Sequence, residues 1–198
     1  KFPDNFFDLI ISNVPFANVV PFDKRYRTHR FALHNYYFAK SLDKVRPGGV
    51  VAFITSRYTM DAQDPKVREY IADRADLVGA IRLPDTAFKK NAGTEVTTDI
   101  LFLKKRPDGT LSPDRSWTDT GMIQSPDGKD IRVNRYFIDH PEMMLGTMSL
   151  KGKMYAAETP TLSPKEGDLD KQIEEAIWRL PEGVMTPDPI AAEKADQP

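Results

Sequence analysis

The nine residues Asp8-Leu9-Ile10-Ile11-Ser12-Asn13-Val14-Pro15-Phe16 constrain the fold of this chain more than any other stretch. Leu9, Ile10 and Ile11 are consecutive and apolar, and two are β-branched, which predicts a buried strand over Asp8 to Ser12. Pro15 has no N–H to give to a sheet ladder, so the strand stops before it. The chain then presents an amide (Asn13) and a ring (Phe16) just past a strand end. Open α/β sheets hold their ligands at the carboxyl ends of parallel strands. The Asn13 side-chain oxygen and the Val14 backbone carbonyl are two acceptors for a planar NH2, and Phe16 is a surface on which a base can stack.

Downstream, the apolar residues Phe31, Phe38, Leu42 and Val45 fall at helical spacing. They predict a helix from Phe31 to Val45, ended by Arg46-Pro47-Gly48-Gly49 with a glycine for a left-handed cap. His34 shares the inward face and reads as a hydrogen-bonded core histidine. Val50–Thr55, Leu77–Leu83 and Thr94–Lys104 read as further strands, and Asp64–Asp73 as a short helix. Strand–helix–strand–helix–strand predicts a parallel sheet with crossovers. The last two strands lack a helix between them, so the last should run antiparallel.

These segments together resemble bacterial N6-adenine DNA methyltransferases of the class I, S-adenosylmethionine-dependent type. Asn13-Val14-Pro15-Phe16 resembles their Asn/Asp/Ser-Pro-Pro-aromatic fingerprint, with Val14 in place of the first proline. His34–Leu42 with Val45–Thr55, Leu77–Pro84 with Gly93–Leu103, and then Asn134–Phe137 and His140–Gly146 are similar to the methylase–helicase polypeptides of phages and mobile elements. The resemblance implies an α/β fold: a partial doubly wound, Rossmann-like sheet (strands four to seven) with a C-terminal extension. It divides the chain into a partial catalytic domain (1–106), an extension (107–150), and a linker, short helix and disordered tail (151–198).

By the same resemblance, Asn13, Val14, Pro15 and Phe16 grip the target base. Phe88, Thr97, Thr98 and Asp99 are candidate walls of its pocket. Lys24, Arg25, Arg27 and Arg30 form a basic cluster suited to DNA phosphates. The implied cofactor is S-adenosylmethionine, yet the sequence contains no Gly-x-Gly, and its Gly48-Gly49 pair precedes a strand rather than following one. The chain therefore reads as a fragment that carries the base loop but not the donor loop, and that binds the donor weakly or not at all. Its expected partners are DNA, an upstream half-domain and a helicase domain of the same polypeptide, with self-association through an exposed sheet edge. RNA or protein glutamine as substrate, or a non-catalytic DNA-binding or scaffolding role, remain open alternatives.

Composition narrows this little. Net charge is −1, so DNA binding must be local. There is no cysteine and there are three scattered histidines, which leaves neither thiol chemistry nor an expected metal site. No apolar run approaches the roughly 20 residues that span a bilayer, and no leader-like start appears, so a cytoplasmic protein of bacterial or phage origin is expected. Residues 107–132, rich in Pro, Gly, Asp and Ser, predict a hairpin or a mobile excursion, packed down by Trp117. Leu169, Ile173, Ile177 and Leu180 predict a short amphipathic helix.

Overall fold

A computed structural model describes residues 2–17, 19–89, 93, 95–152 and 158–187. The first strand, β1 (Phe7–Asn13), is followed by α1 (Leu33–Lys44) and β2 (Val45–Ser56). Two short helices, α2 (Tyr58–Asp61) and α3 (Lys66–Ala72), lead to β3 (Ala75–Leu83) and β4 (Thr98–Lys105). The sheet order is β1-β2-β4-β3. β1 and β2 are parallel, and β4 runs antiparallel to both of its neighbours. The return strand expected from the short β3–β4 connection thus lies in the middle of a mixed, partial Rossmann-like sheet.

The core follows the strand period. Val51 and Phe53 of β2 and Leu101 and Leu103 of β4 are buried with Phe38 and Leu42 of α1. The rings of Phe38 and Phe53 meet at 5.1 Å. Fully burying one such side chain is worth roughly 1.5–3 kcal/mol. The helix expected from Phe31 to Val45 is two residues shorter at its start and one at its end. Phe31 instead joins Tyr26 and Ala39 in a satellite cluster below the loop.

The glycine pair does not cap the helix. Val45 is already extended and pairs with Phe7, whereas Leu9 pairs with Val50, so residues 46–49 bulge out of the ladder. Gly48 has φ +79°, and a Cβ on Gly49 would lie 2.6 Å from the Asp8 carbonyl oxygen. Both positions need glycine for the bulge, not for a cap.

β1 is not the buried strand that its composition predicts. It pairs on one side only, and its outer face is open: Leu9 is 44 % and Ile11 71 % exposed, while Ile10 packs on the core. Consecutive side chains of a strand point to opposite faces, so an apolar triplet is buried throughout only when both faces are covered.

Beyond the sheet, the Trp117 region leads into a hairpin of β5 (Thr120–Gln124) and β6 (Asp130–Asn134), as its composition predicts, and Trp117 is buried. Asn134 caps α4 (Arg135–Asp139), accepting from the Tyr136 N–H at 2.9 Å. The segment that reads as a linker instead holds β8 (Thr159–Pro164), paired with β7 (Gly146–Gly152). It is tied to the sheet by the Asp85 N–H donating to the Leu162 carbonyl at 3.0 Å.

The final helix, α5 (Leu169–Ile177), packs through Leu169, Ile173, Ala176 and Leu180. Ile177, expected on that face, points outward, because Ala176 holds the inward position of that turn. Residues 181–187 are not a loose tail. The Thr186 N–H donates to the Gly48 carbonyl at 3.0 Å, and Arg46 donates to the Thr186 carbonyl at 2.8 Å. The remainder of the expected tail, and Lys90, Asn91 and Thr94, lie outside the described residues. Among the described residues, no helix is long and apolar enough to cross a membrane.

Candidate base-gripping corner

Asn13 is the last residue of β1 and pairs with Ile54 near the carboxyl end of β2. The ladder ends with the Val14 N–H donating to the Ile54 carbonyl at 3.1 Å. Val14 then inserts its side chain into the core, 1 % exposed. That anchor turns the flanking residues outward: Asn13, Pro15 and Phe16 are all exposed, Phe16 at 42 %. Among the described residues, the Asn13 carboxamide and the Val14 carbonyl take part in no hydrogen bond. One exposed acceptor, the Asn13 carboxamide, and one exposed ring, Phe16, are therefore available on this corner, with the unbonded carbonyl of the buried Val14 between them. Valine in place of a first proline keeps the carbonyl and supplies a core anchor.

The loop after the corner is tied to α1. Tyr26 is buried and donates to Asp43, and Tyr36 donates to Asp23 at 2.9 Å. Burial and this bond both push the Tyr26 phenol pKa upward. The Arg25 N–H and the Tyr36 hydroxyl hold the Asp23 carboxyl below the usual carboxylate range. Arg25 itself is committed to Asp4 at 2.7 Å and Asp43 at 3.0 Å. Of the basic cluster, Lys24, Arg27 and Arg30 remain exposed and unpaired among the described residues. Arg25 serves as a clasp between the N-terminal segment and α1.

The four pocket-wall candidates part ways. Phe88 is half-buried against the core. Thr97 accepts from the Leu162 N–H at 2.8 Å and meets the Thr161 hydroxyl at 3.2 Å, so it fastens β8 to the sheet. Thr98 is fully buried, and its Oγ1 has no partner. Asp99 is corrected from pocket wall to interior strut. It is fully buried, with Oδ1 accepting from Arg82 Nε at 2.7 Å and Oδ2 from Arg82 Nη2 at 2.9 Å. Arg82 Nη2 also reaches Asp61 Oδ1 at 2.8 Å, and the guanidinium lies 4.3 Å from the centre of the Phe137 ring. Asp61 Oδ1 further accepts from the Asn134 N–H at 2.9 Å. Burial pushes the Asp99 carboxyl up, against the downward pull of Arg82.

This network was not foreseen from the sequence. Its signal was a charge inside the apolar run Ala80-Ile81-Arg82-Leu83, with Asp99 directly opposite Arg82 in the ladder. His34 also departs from expectation. It is half-buried, its Nδ1 has no partner, and burial holds its pKa below the ordinary value.

Two cavities stand out, and neither touches the corner. One, of about 370 Å³, is lined by residues including Gln63, Arg68 and Thr120. The other, of about 280 Å³, lies between Asp76, Ser112, Trp117 and His140. The residues do not fit a glycine-loop site for the methyl donor: the sequence holds no Gly-x-Gly, and the Gly48-Gly49 pair lies inside β2 rather than after a strand. Among the described residues, no cluster of His, Asp and Glu is arranged to hold a metal ion.

The "Defense against restriction protein B" of Escherichia phage P1 is 31 % identical over 109 residues, 53 % of this chain. The chain spans only 5 % of that relative's length. A Listeria monocytogenes chain assigned as a class I S-adenosylmethionine-dependent methyltransferase superposes with a TM-score of 0.44 at 24 % identity, covering 58 % of this chain and 39 % of its own. The M protein of the type I restriction enzyme EcoKI covers 97 % of this chain and 51 % of its own, with a TM-score of 0.39 at 14 % identity. Residues 1–124 match the model of the N-6 DNA methylase family, and the chain belongs to that family.

Proposed function

We propose that this chain supplies the target-base side of a DNA adenine-N6 methyltransferase, and that the methyl donor is held by a separate segment of a longer polypeptide. The observation that carries the reading is the exposed, unbonded Asn13 carboxamide at the end of β1, with Phe16 exposed close by and the carbonyl of the buried Val14 left without a hydrogen bond. The adenine N6 lone pair is delocalised into the ring and is a poor nucleophile. Two acceptors that hold the amino protons favour a geometry in which the lone pair points out of the ring plane. Positioning of this kind carries much of the rate in such transfers. The base has to leave its duplex to reach the corner. Stacking on Phe16 would return about 1–3 kcal/mol of that cost. Lys24, Arg27 and Arg30, beside the corner in sequence, suit the flanking phosphates.

Asn13→Ala in the donor-competent polypeptide tests the reading. Adenine methylation of unmethylated plasmid should fall below detection while folding is unchanged, since Asn13 is exposed and unbonded. Retained methylation refutes the role. The isolated chain should show no calorimetric binding of S-adenosylmethionine. Micromolar affinity would refute the assignment of the donor to another segment.

A further inference from the structure

The 370 Å³ cavity contains an arginine that the methylation reading does not use. Arg68 on α3 is 1 % exposed. Its Nε donates to the Thr118 carbonyl at 2.7 Å, and its Nη1 reaches the Thr59 carbonyl at 3.4 Å. Among the described residues, Nη2 donates to nothing and no carboxylate comes within ion-pair distance of the guanidinium. Burial lowers the Arg68 pKa from its ordinary value, against the weaker upward pull of Asp61, Asp119, Asp64 and Glu69, none of them within ion-pair distance of it. A buried charge without a counter-charge costs several kcal/mol, so such sites are rare unless a partner arrives.

The rest of the lining suits an oxyanion. The Thr120 hydroxyl accepts from Arg132 at 3.0 Å, which leaves its proton to donate into the cavity. The Gln63 side chain is exposed and unbonded among the described residues. Arg135 stands at the rim, held by Asp139 at 2.8 Å. Asp119 also lines the space, and with Arg135 committed to Asp139 it is the carboxylate of the lining that an entering anion would meet beside Arg68.

We propose that this cavity binds a phosphate group, with Arg68 as its buried counter-charge. Charge-assisted donors arriving from several directions favour a tetrahedral oxyanion over a planar carboxylate. The group could be a free phosphate or monoester, or a phosphodiester of DNA.

Titration of the full 198-residue chain with inorganic phosphate, followed by backbone amide NMR, tests this. The Thr120 and Gly121 amides should shift saturably. Asp119→Asn should tighten the apparent Kd, and Gln63→Glu should weaken it, each at least about threefold, as expected for a charge change beside the ligand. Arg68→Lys should abolish saturation. If that variant does not fold, the Asp119 and Gln63 pair decides alone. A short DNA duplex that moves the same amides and is displaced by phosphate identifies the backbone as the source. Phosphate acting alone identifies a small ligand. Identical affinities in wild type, Asp119→Asn and Gln63→Glu, or no saturable shift at these amides, would overturn the proposal. The readout involves no methyl transfer, so it fails or succeeds independently of the Asn13 reading.

Discussion

Asp99→Asn is the substitution whose consequence the structure specifies most closely. Asparagine has nearly the same shape, so packing is preserved and only the charge is removed. Asp99 and Arg82 are both fully buried and joined by bonds of 2.7 and 2.9 Å. Removing one partner of a buried ion pair costs roughly 3–5 kcal/mol, because the other charge stays buried. Asp61 still faces Arg82 at 2.8 Å, which places the expected loss in the lower half of that range, about 3–4 kcal/mol. For a chain of this size each kcal/mol moves Tm by about 2–4 °C, so the transition should fall by about 6–16 °C. Circular dichroism melts, checked by urea denaturation, measure it directly. Asp139→Asn, which breaks an exposed pair, should leave the transition in place. A loss below about 1 kcal/mol for Asp99→Asn would refute the strut assignment and return Asp99 to the list of groups free for a ligand.

The other predictions are simpler. Burial holds the His34 pKa below 6.5, so the unfolded chain binds the proton more readily. Stability should therefore be fully present above pH 6.5 and decline as pH falls below it. His34→Gln should flatten that part of the pH profile, and an unchanged slope would refute the assignment. A side chain at Gly146 would lie 2.2 Å from the Ser163 carbonyl oxygen, so Gly146→Ala should cost about 1–3 kcal/mol in urea melts. Ile11→Lys on the open face of β1 should reduce self-association in sedimentation velocity; a wild-type chain that sediments as a clean monomer would refute the role of this edge.

The sheet was readable in the sequence wherever apolar period and strand breakers agree. β2, β3 and β4 were placed within a few residues, and the antiparallel return followed from a connection too short for a crossover. The end of β1 was readable because Pro15 stops a strand at an amide. What the sequence hid were pairings decided at long range. Arg82 and Asp99 stand 17 positions apart and share the interior only because β4 lies beside β3. β8 was hidden by polar, proline-containing composition, since its pairing with β7 needs no continuous apolar face. The triplet Leu9–Ile11 overstated burial because composition carries no information about which strand ends a sheet. Arg68 was unreadable for the same reason as Arg82: nothing local marks a charge that tertiary packing will enclose.

The position of β4 dictates the order in which the molecule can assemble. β2 and β3 have no bond to each other; each is completed only by the strand that emerges last of the four. While a ribosome is still extending the chain before Lys105, the first parallel pair can form, but β3 has no partner to lie against. Nucleation therefore waits for a distant closing step, which slows folding relative to a sheet laid down strand by strand. During that wait, the backbone groups of β2 and β3 that β4 will later satisfy stand open to neighbouring nascent chains.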